Sequence, residues 1–76
     1  MKKVIKEILE KLALRPVHDS EQLISSGLID SMGVISLVLA LEKKFEIKIQ
    51  ADEIDLVNFD SLIAIESFIR IKEVED

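Results

Sequence analysis

The chain contains no cysteine, which excludes disulfide staples and Cys-ligated zinc and closes the route by which small secreted domains are usually stabilised. A cytoplasmic location is compatible with that absence. A single histidine, His18, leaves no partner imidazole for a metal site or a catalytic dyad, and its place in an irregular stretch suggests an ordinary surface residue. Glycine occurs twice and proline once while 49% of the residues are hydrophobic, a balance that argues against disorder and for helices. Basic residues thin out along the chain: residues 1–51 hold eight Lys/Arg against seven Asp/Glu, and residues 52–76 hold two against eight. With aromatics at only 4% and no basic patch, nucleic acid is not an expected partner; a basic protein surface is. No apolar run is long enough to span a membrane, and residues 1–7 interrupt their apolar positions with charge, unlike the core of a signal peptide. A length of 76 residues predicts one domain, 1–76, with a thin core and no room for a deep enzymatic pocket.

What is present is helical periodicity. Val4, Ile5, Ile8, Leu9 and Leu12 recur at helix spacing between charged residues, predicting a first amphipathic helix over residues 2–14 that Arg15-Pro16 ends. Residues 17–30 lack a period and include the turn signal Ser25-Ser26-Gly27, so a long loop is expected there. A second helix should run over Ser31–Phe45, followed by an extended Glu46-Ile47-Lys48-Ile49 link that tucks both isoleucines inward. Ala51-Asp52-Glu53-Ile54 reads as a single helical turn. Asp60 then reads as the N-cap of a last helix with Leu62, Ile65, Phe68, Ile69 and Lys72 on one side. The expected class is all-α: a small bundle of three main helices plus one short one, with a long loop between the first and second.

The second helix has more apolar surface than one packed face needs. Val34, Leu37, Val38, Leu41 and Phe45 form the stripe expected to face the core, while Met32, Ile35 and Leu39 cluster about a third of a turn away. Either a neighbouring helix covers that cluster or it is a docking patch.

Paired carboxylates at Asp52/Glu53 and Glu73/Glu75 fall in a solvated acidic stretch with no apolar wall to raise a pKa, and no glycine-rich phosphate loop occurs. The remaining feature is Gly27-Leu28-Ile29-Asp30-Ser31-Met32, a glycine turn leading to Asp-Ser at a helix start. Asp and Ser are common caps. A serine at a helix N-terminus is also well placed to carry a phosphodiester, because the free amides and the dipole favour an anion there. No base lies near Ser31 in sequence, so it reads as a modification acceptor rather than a nucleophile.

Over essentially its whole length the chain resembles the acyl carrier protein family, including the peptidyl and D-alanyl carriers. The resemblance rests on Leu23-Ile24, on Gly27 to Met32 as the approach to the family's Asp-Ser-Leu/Met attachment motif, and on Leu37, Ala40-Leu41-Glu42 and Phe45 as its second helix. Ala51-Asp52-Glu53-Ile54 resembles the short third helix, and Asn58-Phe59-Asp60-Ser61-Leu62 the start of the fourth. The resemblance implies a monomeric carrier without catalysis of its own. It implies that a phosphopantetheinyl transferase moves 4'-phosphopantetheine from coenzyme A, with magnesium, onto Ser31, and that the thiol of the arm then carries cargo as a thioester. An acyl- or aminoacyl-loading enzyme and downstream acyl-processing enzymes are the implied partners. Asp30 would assist the transferase and its metal, and Asp30, Met32, Ile35 and Leu39 would form the docking surface.

Asp60-Ser61-Leu62 repeats the attachment motif, but only one helix can follow it, whereas the family requires three after its serine. Fatty-acid-synthesis carriers usually bear several acids along the second helix. Here Gly33, Val34, Ile35 and Ser36 follow Met32, Glu42 is the helix's one acid, and Lys43-Lys44 come next, more like the apolar face of peptidyl-type carriers. Acids at Asp52, Glu53 and Asp55 could still meet a basic partner. The competing reading is a non-catalytic helical adapter in which Ser31 is only a cap.

Overall fold

Ile5 and Leu9 lie one turn apart and are both fully buried, and that stripe makes Lys2–Ala13 a helix, α1, with its charged residues turned outward. The computed structural model describes residues 1–75, the side chain of Glu75 excepted. Helix α1 stops one residue before the sequence pattern does. Leu14 adopts a left-handed conformation (φ 60°) and donates its N–H to the Glu10 carbonyl at 2.8 Å, and Arg15-Pro16 leads away. The Glu10 carboxylate accepts the N–H of buried Val17 at 2.8 Å.

Residues 17–30 form the expected irregular segment, yet Val17, Leu23 and Ile29 from it are buried in the core. Its start is tied down by surface ion pairs, Lys2 with Asp19 and Arg15 with Glu21. His18 is exposed.

Helix α2 spans Ser31–Phe45 as predicted, burying Leu37, Val38 and Leu41, with Val34 and Phe45 partly buried against the same core. It ends as α1 does. Glu46 is left-handed (φ 54°) and donates its N–H to the Glu42 carbonyl, and the Glu42 carboxylate accepts the Ile49 N–H at 2.9 Å. Ile47 and Ile49 point inward, as their alternation requires.

The region after Ile49 departs from the sequence reading. The single helical turn expected at Ala51–Ile54 is a 3-10 turn at Ala51–Glu53, but a separate one-turn helix, α3, that the sequence pattern did not show follows at Leu56–Phe59. The last helix, α4, is Leu62–Glu75. Because α3 intervenes, Asp60 is not the N-cap of α4. It ends α3, donating its N–H to the Leu56 carbonyl at 3.1 Å, while the Ser61 hydroxyl accepts the Ala64 N–H at 3.1 Å and caps α4. The expected solvated pair Asp52/Glu53 also divides: Asp52 is exposed, but half-buried Glu53 accepts the Gln50 N–H at 2.8 Å and pairs with Lys72 at 3.1 Å. Of Glu73 and Glu75, Glu73 is exposed and the side chain of Glu75 lies outside the described residues.

Helix α1 packs against α2 and α4, and α3 against α4. Ile5, Leu9, Leu37, Leu41, Phe59, Leu62, Ile65 and Ile69 are completely removed from solvent, so every helix contributes to one core. Each such side chain stabilises the fold by about 1.5–3 kcal/mol. No strand occurs among the described residues. The all-α bundle of three main helices and one short one is therefore observed, with α3 as the short helix.

Candidate functional site

The entrance to α2 is built by two glycines. Gly27 has φ 83°, a conformation that side-chain-bearing residues resist, and its N–H closes a turn on the Ile24 carbonyl at 3.0 Å. The Ile29 N–H then bonds back to the Leu23 carbonyl at 2.9 Å, so residues 23–29 form a closed loop. At Gly33 the need is close approach: a Cβ there would lie 2.8 Å from Cγ2 of buried Ile29. Glycine lets the first turn of α2 rest directly on that side chain.

Asp30, in extended backbone, is the N-cap of α2, its Oδ1 accepting the Gly33 N–H at 2.8 Å. Ser31 is therefore the first helical residue and not the cap. It is exposed, and its hydroxyl makes no hydrogen bond among the described residues.

Ser31 lies in the wall of a cleft of about 460 Å³, with Val34 and Ile35 from α2, Ile24 from the loop, and Ile54, Asp55 and Leu56 from the 3-10 turn and α3. The one ionisable group in that wall, Asp55, accepts the Asn58 N–H at 2.9 Å as the cap of α3. The cleft thus offers an apolar surface and an unengaged hydroxyl, without an activated base. Among the described residues no group of three or more His, Cys, Asp and Glu could hold a metal.

Of the predicted docking residues, Met32 is 71% exposed, Ile35 55% and Leu39 61%, so no helix covers them. Only Ile35 joins Ser31 in the cleft; Asp30, Met32 and Leu39 flank it on the outer surface. Sequence reasoning missed Ile24, Ile54 and Leu56. The adjacent apolar pair Leu56-Val57, 53% and 84% exposed, was the available signal, but it has meaning only once α3 is known to face α2.

A second unexpected feature lies behind the cleft. The Asp60 carboxylate accepts hydrogen bonds from the loop, and its carboxyl is held below the usual range chiefly by the Ser25 hydroxyl and then by the amides of Ser25, Ile24 and Leu23, with burial opposing.

A family model described as a phosphopantetheine attachment site matches residues 2–69. The D-alanyl carrier protein of Streptococcus sanguinis is 39% identical over 49 residues, and that of Streptococcus gordonii 37% over 49 residues. Each alignment covers 62% of this chain and 62% of the relative, so the match spans less than two thirds of those proteins. Among solved structures, a holo acyl carrier protein from Nitrosomonas europaea is 25% identical with a TM-score of 0.80, covering 96% of this chain and 95% of that one. A chain in the crystal structure of an engineered Bradyrhizobium japonicum glycine:[carrier protein] ligase complexed with carrier protein from Agrobacterium tumefaciens and AMP is 29% identical. Its TM-score is 0.77, with 92% of this chain and 99% of that chain covered. With the family model spanning residues 2–69 of 76, the chain belongs to the phosphopantetheine attachment site family, whose members hold 4'-phosphopantetheine covalently and are not themselves catalysts.

Proposed function

We propose that this chain, as a single monomeric carrier domain of the cytoplasm, carries acyl or aminoacyl cargo on a phosphopantetheine arm attached to Ser31. The observation that carries the reading is the position of Ser31: an unengaged, exposed hydroxyl on the first residue of a 15-residue helix, in the wall of an apolar cleft. Those residues suit the group. The amides of the first turn favour a phosphodiester, and Val34, Ile35, Ile24 and Leu56 offer apolar surface beside it. In the modification, Ser31 Oγ loses its proton and becomes the bridging oxygen of the phosphodiester, with 3',5'-ADP leaving from coenzyme A. A separate transferase must supply the base, since the one ionisable group in the cleft wall, Asp55, is engaged as the cap of α3. When bound, the arm supplies a thiol to a chain that has no cysteine, and cargo is held on it as a thioester.

An aminoacyl load is favoured over a fatty-acyl one. The single acid of α2, Glu42, is directed to the Ile49 amide, so the outer face of that helix presents apolar side chains and lysines rather than a row of carboxylates. The D-alanyl carrier relatives and the glycine ligase complex point the same way. A loading ligase would dock on Met32, Ile35 and Leu39, with Asp30 beside the transferase and its magnesium.

The test is intact-mass measurement after incubation of the apo protein with coenzyme A, magnesium and a broad-specificity transferase. A gain of one phosphopantetheine is expected; no gain would leave the adapter reading in its place. The docking surface has its own test. Ile35→Asp places a carboxylate at a 55% exposed position, so melting should change by about 0.5 kcal/mol or less while loading by the partner enzyme falls. An unfolded variant, or one loaded normally, would contradict this assignment.

A further inference from the structure

Asp60 is the hub of a hydrogen-bond cluster that joins segments 35 to 37 residues apart. Its Oδ1 accepts three successive backbone amides, Leu23 at 3.1 Å, Ile24 at 2.7 Å and Ser25 at 2.9 Å, and its Oδ2 accepts the Ser25 hydroxyl at 2.6 Å. Its carbonyl also accepts the Leu23 N–H at 2.9 Å, and its own N–H donates to the Leu56 carbonyl at 3.1 Å. Two of these partners, Ile24 and Leu56, line the cleft that contains Ser31. The same loop closes through Leu23 onto Ile29, two residues before Ser31.

The cleft therefore has one wall on a loop without helical structure and another on a single-turn helix, so neither wall is held by an extended ladder of helix hydrogen bonds. We propose that Asp60 is the positioning residue of this cleft, holding the Ile24 wall at a fixed separation from the Leu56 wall so that enzymes acting at Ser31 meet a preformed surface. A carboxylate suits the task. One oxygen can accept several converging amides, and hydrogen bonds to a charged acceptor are about twice as strong as neutral ones. Alanine supplies no acceptor, whereas asparagine keeps one oxygen for the amides and loses the charge. The role rests on the reading of Ser31 as the attachment point, because a cleft of set width matters only if something acts there.

The test compares Asp60→Ala and Asp60→Asn with Ile5→Val, a core substitution in α1 away from the cleft, after matching the melting temperatures by choice of temperature. Amide exchange at Leu23, Ile24 and Ser25 should accelerate by about tenfold or more in Asp60→Ala, the equivalent of one lost charge-assisted hydrogen bond, and remain unchanged in Ile5→Val. In phosphopantetheine transfer, Asp60→Ala should raise KM for the carrier by about tenfold at unchanged kcat, with Asp60→Asn recovering most of the loss. Equal KM values in Asp60→Ala and the wild type, or an equal rise in Ile5→Val, would overturn the positioning role and reduce Asp60 to general stability. A wild-type chain that takes no phosphopantetheine sinks the reading of Ser31, and this inference with it. A wild-type chain that is modified, beside an Asp60→Ala variant with unaltered exchange and KM, sinks the inference alone.

Discussion

Ser31→Ala is expected to abolish the phosphopantetheine mass gain outright while lowering the melting temperature by about 2 °C or less. The two halves of this expectation have separate physical origins. The hydroxyl is the only atom of the side chain that can form the phosphodiester, so its loss cannot be compensated by a neighbour. Stability is nearly untouched because the capping bond of α2 comes from Asp30, and Ser31 is exposed with no hydrogen bond of its own hydroxyl among the described residues. The control is Ser61→Ala in the repeated Asp-Ser-Leu motif. It removes the hydroxyl that caps α4 through the Ala64 N–H, and should cost about 1 kcal/mol while leaving the mass gain intact. The two serines thus exchange phenotypes: one variant is stable and unmodified, the other modified and less stable. Mass spectrometry and thermal melts on both proteins check this, and a mass gain that survives Ser31→Ala would refute the attachment site.

The largest effect on folding is expected at Phe59. Its side chain is fully buried, it is the only buried residue of α3, and its ring packs against Phe68 with centroids 5.1 Å apart at 53°. Phe59→Ala removes both the aromatic contact and the volume that ties α3 to α4, a change that typically costs about 3–5 kcal/mol. A domain of this length is stable by only about 4–11 kcal/mol. The variant should therefore melt more than about 15 °C below the wild type, or be partly unfolded at room temperature. Phe59→Leu should retain most of the stability. Circular dichroism during urea titration is the measurement, and a loss below about 1 kcal/mol would mean that α3 collapses into the vacated space.

The long elements, with Ser31 at the start of α2, were legible because the helices carry periodic signals. Val4, Ile5, Ile8, Leu9 and Leu12 in α1, and Leu37, Val38 and Leu41 in α2, mix adjacent and three- to four-residue spacings in a way that the strict alternation of a strand would not show. The position of Ser31 followed from helix order. The one-turn helix α3 was not legible, since four residues cannot display a 3.6-residue period, and its apolar Leu56 and Val57 are exposed rather than buried. That omission produced the misassignment of Asp60. An aspartate before an apolar run is an ordinary N-cap signal, and nothing local reveals that its acceptor oxygens serve amides more than 30 residues upstream. For Met32, Ile35 and Leu39 the sequence left two readings open, because burial depends on where neighbouring helices lie. Exposure of all three removes the reading in which a neighbouring helix covers them.

The matching ends of α1 and α2 carry a consequence for engineering. In each, a glutamate carbonyl receives the N–H of a left-handed residue four positions on, and its carboxylate receives the N–H of a buried residue seven positions on: Glu10, Leu14 and Val17 in one case, Glu42, Glu46 and Ile49 in the other. Both left-handed positions are filled by residues with a Cβ, which pay a steric penalty of about 1–2 kcal/mol there that glycine would avoid. Leu14 is 88% exposed and has little packing to lose, so Leu14→Gly should raise stability by up to about 1 kcal/mol in a thermal melt, with Val17 still anchored by Glu10. The scaffold consequently has headroom at the C-terminus of α1, outside the lining of the cleft that contains Ser31, where it could absorb the destabilisation that comes with redesigning the exposed Met32, Ile35 and Leu39 face.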